Sequence, residues 1–197
     1  MDITSPFKSE IFRPLVTLVI PGAVALAPYI LVVSYYFPQV VTFWNEHPSA
    51  FVAILVVCVV ATGLFLENLG STIEWNVFDE ILDRRDSSHK SDWEEYLQLW
   101  LMDEVVGQRY LRQSLIRMKF ELSMIPSLFF FLCGLLWANR LHHIWQTSRF
   151  IWLAAVVLIL IALMVVEAFR SATNLARTRS LIITASKSRP GYTRTSA

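Results

Sequence analysis

Three glutamates stand at the borders of long apolar runs in the sequence: Glu67, Glu121 and Glu167. Carboxylates at membrane depth are costly and often mark ion or proton paths, so these three form a candidate membrane-edge carboxylate cluster. The competing interpretation is that each carboxylate pairs with a nearby arginine at the membrane surface, and their edge positions favour it. No charged residue or histidine lies in the middle of an apolar run, which argues against a proton-coupled pump.

Few other residues in the sequence could bind a metal or take part in catalysis. His142 and His143 are adjacent, but no third ligand follows at a metal-binding spacing. Cys58 and Cys133 each lie inside an apolar run and are interpreted as packing residues. The sequence contains no serine-hydrolase, zinc-protease, P-loop or dinucleotide-binding motif. It therefore predicts a non-enzymatic protein with no catalytic residue, cofactor or metal.

The composition indicates which solvent surrounds the chain. Of 197 residues, 55% are apolar and 17% are charged, whereas soluble domains carry roughly 25% charged residues. Such a chain cannot bury its apolar surface in one small globule, so the lipid bilayer is its first expected partner. The net charge of +1 gives no indication of a nucleic-acid partner.

Four apolar runs lie at 14–37, 49–66, 122–138 and 150–166. Each is near the roughly 20 residues that a helix needs to cross the hydrocarbon core of a bilayer. Only helices satisfy every backbone polar group within a single segment in lipid. The predicted fold is therefore an all-α polytopic membrane protein with four transmembrane helices.

The distribution of lysine and arginine predicts the orientation. The N-terminal segment, the second loop and the C-terminal tail together carry fifteen of these residues. The first and third loops carry two, Arg140 and Arg149. Because cytoplasmic loops are enriched in positive charge, both termini and the second loop are expected in the cytoplasm. A bacterial inner membrane is the predicted location.

Small residues and prolines share one face of the first run. Pro21 and Pro28 are seven residues apart, and Gly22 lies beside Pro21. One interpretation is a broken helix that lines a substrate or ion site. The pattern favours a kinked helix that packs closely through its small residues. Ser123 and Ser127 in the third run have the spacing of a similar packing pair.

The second loop, 70–121, is long enough to form a soluble module. After the capping-box pattern Ser91-x-x-Glu94, apolar side chains recur at helical spacing. This candidate interaction helix comprises Trp93, Tyr96, Leu97, Trp100 and Leu101. Its polar face is acidic, whereas helices that lie on membranes are usually basic there. It is therefore expected to pack on the rest of the loop or on a partner protein.

The two halves of this loop carry opposite charges. The acidic arm includes Glu74, Asp79 and Asp83, and the basic arm contains Arg109, Arg112, Arg117 and Lys119. A helical cytoplasmic hairpin between the second and third membrane helices would pair the arms, with Glu74 at the level of Arg117 and Lys119. Two separately solvated faces are the alternative. Two apolar seams, Ile73/Val77/Ile81 and Leu111/Leu115/Met118, are expected to close between the arms.

The predicted organisation has four parts. Residues 1–69 are expected to form an N-terminal cytoplasmic segment and two membrane helices, and residues 70–121 the helical loop. Residues 122–180 are expected to form the other two membrane helices with a cytoplasmic extension, and residues 181–197 a basic, disordered tail. The first functional hypothesis is a membrane subunit whose cytoplasmic loop docks a partner protein or senses the state of the membrane, with self-association of the chain. The alternative is a homo-oligomeric ion channel or a pore-forming membrane effector.

Overall fold

The computed structural model describes residues 15–81, 106–143 and 145–187, and every regular element among them is a helix. A π-helical segment, Leu15–Val19, leads into α1, Ile20–Tyr36. The remaining helices are α2, Pro38–Glu46, α3, Pro48–Ile73, α4, Val106–His142, and α5, Thr147–Lys187. A second π-helical segment, Glu74–Asp79, continues α3.

Four of the described helices are long and apolar enough to cross a membrane. The helical stretches that contain these candidate spans are Thr17–Tyr36, Pro48–Phe78, Leu111–His142 and Thr147–Thr184, and the last three are longer than the roughly 20 residues needed to cross the hydrocarbon core. They contain the four apolar runs, except that the first run also includes Phe37 and the residues before Thr17. For the described residues, the predictions of an all-helical fold and of four helices able to span a membrane are confirmed.

The connection between α1 and α3 is itself helical. Pro38 and Pro48 stand at the starts of α2 and α3, where proline costs no hydrogen bond because the first N–H groups of a helix have no partner within it. Trp44 of α2 stacks on Phe51 of α3, with ring centroids 4.8 Å apart. The segment 38–48 was predicted as a loop, and most of it forms this short helix.

Helices α1, α3 and α4 pack closely through small residues. A Cβ atom added to Gly22 would overlap the carbonyl oxygen of Val59, and one added to Gly63 would overlap that of Leu18. Ser127 of α4 is fully buried and donates a hydrogen bond of 2.7 Å to the carbonyl oxygen of Pro21. The buried face of α1 thus contains the prolines and small residues, which confirms the close-packing interpretation.

Helix α5 stands at the edge of this group. It packs along α4, and α4 is its one extensive helix neighbour in the described structure. Only 11% of its apolar span is buried inside the protein. The arrangement is therefore a tight bundle of three helices with a fourth attached to α4.

Three of the membrane helices continue past their apolar runs at the same end of the molecule. We call this extension the stalk and define it as residues 67–81, 106–122 and 167–187. Its core contains Phe78, Leu111, Met118, Leu122, Ala168, Ala172 and Leu175. The stalk is continuous with the membrane helices, because no break separates the two parts in α3, α4 or α5.

The third stalk helix corrects the predicted organisation. Only residues 70–121 were predicted to form a module, whereas α5 supplies Ala168, Ala172 and Leu175 to the same core. These residues recur at helical spacing directly after the fourth apolar run, so the helix remains amphipathic beyond the membrane. It reaches Lys187, and the predicted start of a disordered tail at 181 is therefore wrong.

Candidate functional site at the base of the stalk

Glu121 is the most deeply buried of the three membrane-edge glutamates, with 5% of the residue exposed. The Nε of Arg117, one turn earlier on α4, lies 2.7 Å from its Oε1 atom. The Ser171 hydroxyl of α5 donates a hydrogen bond of 2.7 Å to Oε2. Both carboxylate oxygens are thus hydrogen-bonded, and one of these bonds joins α4 to α5.

Arg117 also binds the second glutamate. Its Nη2 atom lies 3.1 Å from Oε2 of Glu167 on α5, and Arg170 donates to the other oxygen of Glu167 at 2.8 Å. The Arg117 guanidinium therefore bridges carboxylates on two helices, a geometry that its fork of donors permits. The side chains of Arg117, Arg170 and Glu167 are all partly or largely exposed, so each of the two pairs with Glu167 contributes about 0–1 kcal/mol, as surface salt bridges do.

The third glutamate joins α3 to the same level of α4. Glu67 Oε1 lies 3.7 Å from the Nζ of Lys119, and both side chains are partly buried. Residues 117–121 of α4 therefore contact all three membrane-edge carboxylates. These glutamates were hypothesised to form a cluster, and the structure places them in one ion-pair layer across α3, α4 and α5.

This layer can hold the three helices in register, because its ion pairs and hydrogen bonds join α3, α4 and α5. Every carboxylate in it has a cationic partner, and among the described residues no group of three His, Cys, Asp or Glu side chains could hold a metal ion. The geometry fits the salt-bridge interpretation of the cluster better than an ion path. The role of Ser171 was not predicted from the sequence. Its position between Ala168 and Ala172, on the inner face of α5, could have indicated that its hydroxyl is buried.

The register of the predicted hairpin can be followed from the close approach of Gly70 to Leu122. Glu74 lies one turn beyond Gly70 and therefore near the level of Met118, between Arg117 and Lys119. Glu74, Arg112 and Arg117 each make polar contacts within the chain.

Asp83 and the side chains of Asp79 and Arg109 lie outside the described residues. The candidate interaction helix, Trp93 to Leu101, also lies outside them.

One of the two predicted seams has the wrong register. Leu111 and Met118 are buried as expected, but Val77 and Ile81 are exposed and Phe78 occupies the core instead. The π-helical segment Glu74–Asp79 explains the change. A π-helix bonds residue i to residue i+5, so the position that follows Ile73 on the inner face is Phe78 rather than Val77.

Comparisons with known proteins give no further indication of function. No protein-family model, no curated protein and no solved structure matches this chain. The function is therefore inferred from the geometry of the stalk and of the membrane helices.

Proposed function

We propose that the chain is a non-enzymatic integral membrane subunit whose stalk projects into the cytoplasm and docks a partner protein. The observation that carries this proposal is the stalk itself, in which three membrane helices extend without a break into one packed core. Chains that only span the membrane have no need of such an extension. The ion-pair layer at its base joins α3, α4 and α5 to one another.

The exposed face of α3 beyond the membrane supports a docking role. Trp75 is 76% exposed, and Val77 and Ile81 are also exposed. Trp75 lies eight residues beyond Glu67, or about 12 Å along a helix. If Glu67 marks the edge of the hydrocarbon core, Trp75 lies beyond the headgroup region, which is roughly 5–7 Å thick. Tryptophan is enriched in protein interfaces and in their energetic hot spots.

Docking through this face predicts a position-specific crosslink. A photoreactive amino acid at Trp75 should capture a soluble partner protein in cells, whereas the same amino acid at Thr173, which is exposed on α5, should capture it far less. Trp75→Ala should weaken co-purification of the captured protein by about 30-fold or more, the effect of losing a hot-spot residue, without lowering the melting temperature. Crosslinks confined to lipid or to a second copy of the chain would refute docking through this face.

The proposed orientation predicts which residues are accessible from each side. In a variant without Cys58 and Cys133, Arg177→Cys on the stalk should react with an impermeant maleimide only after the membrane is opened. Glu46→Cys on α2 should react in intact cells. The reason is the asymmetry of fifteen lysines and arginines against two. Labelling of both positions from the same side would overturn the four-helix topology, and the reversed pattern would place the stalk outside the cell.

The alternative of a homo-oligomeric channel receives less support. Close contacts fill the space between α1, α3 and α4, including those of Gly22 with Val59 and of Ser127 with Pro21. Glu67 and Glu167, the carboxylates expected at the mouth of such a channel, are engaged in ion pairs. A channel would therefore have to form between several chains, through faces such as the unburied side of α5.

A further inference from the structure

An amphipathic groove lies at the end of the molecule opposite the stalk, between α4 and α5. It has a volume of about 560 Å³ and is lined by Cys133, Leu136, Trp137, Asn139, Arg140 and Phe150. Cys133 and Arg140 are seven residues apart, or about 10 Å along α4. The groove therefore runs from an apolar part inside the membrane span to a cationic part near the end of the helix.

The turn between α4 and α5 is held by specific contacts of residues next to the groove. The Asn139 side-chain oxygen accepts a hydrogen bond of 2.9 Å from the backbone N–H of Trp145. Trp145 lies against Phe150, with ring centroids 6.5 Å apart. On the other side of α4, Tyr29 and Tyr36 both contact the Trp137 ring edge to face. The lining residues are thus positioned by neighbours on α1, on α5 and in the turn.

The arginines next to this groove, Arg140 and Arg149, form no ion pair with another described residue. The segment 139–149 contains two arginines, two histidines and no acid. Arg140 is exposed and forms no ion pair with any described residue. At the stalk, by contrast, Arg117, Lys119 and Arg170 all bind carboxylates. Arg140 and Arg149 are also the two positive charges that depart from the charge asymmetry of the chain, and an exposed arginine at this end of the molecule is available to bind an anion.

We propose that the groove binds one anionic phospholipid from the leaflet at this end of the molecule. Arg140 binds the phosphodiester, and one acyl chain lies along Leu136 and Cys133. A lipid fits better than free phosphate because most of the lining is apolar and belongs to a membrane-spanning helix. Trp137, which is half exposed, lies at the boundary between the two parts, as tryptophan does at membrane interfaces.

Lipid competition on the purified full-length chain tests this proposal. Binding of phosphatidylglycerol and phosphatidylcholine would be compared by native mass spectrometry. We expect the wild-type chain to prefer the anionic lipid by about fivefold, the effect of one cation near a membrane surface. Arg140→Gln should remove most of this preference, and Arg140→Lys should retain it. Arg177→Gln removes an exposed arginine from the stalk end instead and should leave the preference unchanged.

Two further measurements separate the possible outcomes. Leu136→Trp narrows the groove without changing its charge and should also weaken phosphatidylglycerol binding, so the test does not depend on whether the Arg140→Gln chain folds. Inorganic phosphate at millimolar concentration should not displace the lipid. Equal preference in the wild-type and Arg140→Gln chains would overturn the proposal. Displacement by inorganic phosphate would overturn the assignment to a lipid.

Discussion

Replacing Gly22 with leucine is expected to separate α1 from α3 and to destabilise the membrane bundle by about 3 kcal/mol or more. The Cβ atom of the new side chain would overlap the Val59 carbonyl oxygen and approach the backbone nitrogen of Gly63. Backbone atoms cannot rotate away as a flexible side chain can, so the two helices must move apart. The contacts between α1 and α4, including the Ser127 hydrogen bond to Pro21, would weaken as well.

Thermal unfolding of the purified chain in detergent measures this effect. Ala27→Leu is the matched control, because Ala27 is on the same helix and is exposed. It should leave the melting temperature nearly unchanged, while Gly63→Leu on the partner helix should reproduce the loss. A Gly22→Leu chain as stable as the Ala27→Leu chain would show that α1 and α3 do not cross at this point.

The membrane helices could be predicted because one physical constraint defines them. A backbone in lipid must satisfy its own hydrogen bonds, so length and hydropathy alone locate the four spans. The packing face of α1 could also be predicted, since Pro21, Gly22 and Pro28 are spaced so that they share one side of the helix. Such local patterns require no knowledge of where the neighbouring helices lie.

The base of the stalk was predictable only in part. The ion pair between Arg117 and Glu121 joins residues four apart on one helix, a spacing that can be identified from sequence. The hydrogen bond from Ser171 to Glu121 joins residues fifty apart. It depends on how α4 and α5 are aligned along each other, and no local pattern contains that information. The same limitation concealed the contribution of α5 to the stalk.

The seam on α3 was misassigned for a different reason. An α-helix places every third or fourth residue on one face, and Ile73, Val77 and Ile81 follow that spacing. The π-helical segment Glu74–Asp79 interrupts it. Each π-helical turn contains more residues than an α-helical turn, so the faces beyond it are rotated around the helix axis. The hydrophobic sequence around this segment is compatible with both conformations.

Replacing Phe78 with alanine therefore provides a direct test of the stalk core. Phe78 is 4% exposed and belongs to the same buried cluster as Met118 and Leu122. Its ring packs edge to face against that of Phe169, with the ring centroids 5.9 Å apart. Its truncation should lower the free energy of unfolding by about 3–5 kcal/mol, as for other buried phenylalanines. Limited proteolysis of the stalk and thermal unfolding of the intact chain would both measure the loss.

The controls for Phe78→Ala are the neighbouring residues that an uninterrupted α-helix would bury instead. Val77→Ala removes an exposed side chain and should change the stability by no more than about 0.5 kcal/mol. Ile81→Asp should likewise be tolerated, whereas Leu111→Asp places a carboxylate in the core without a partner and should disrupt the stalk. If Val77→Ala and Ile81→Asp are instead the damaging changes, α3 continues as a regular α-helix and the predicted seam is correct. If the inner face of α3 passes from Ile73 to Phe78, substitutions at Phe78 and Leu111 lower the stability of the stalk, whereas substitutions at Val77 and Ile81 are tolerated.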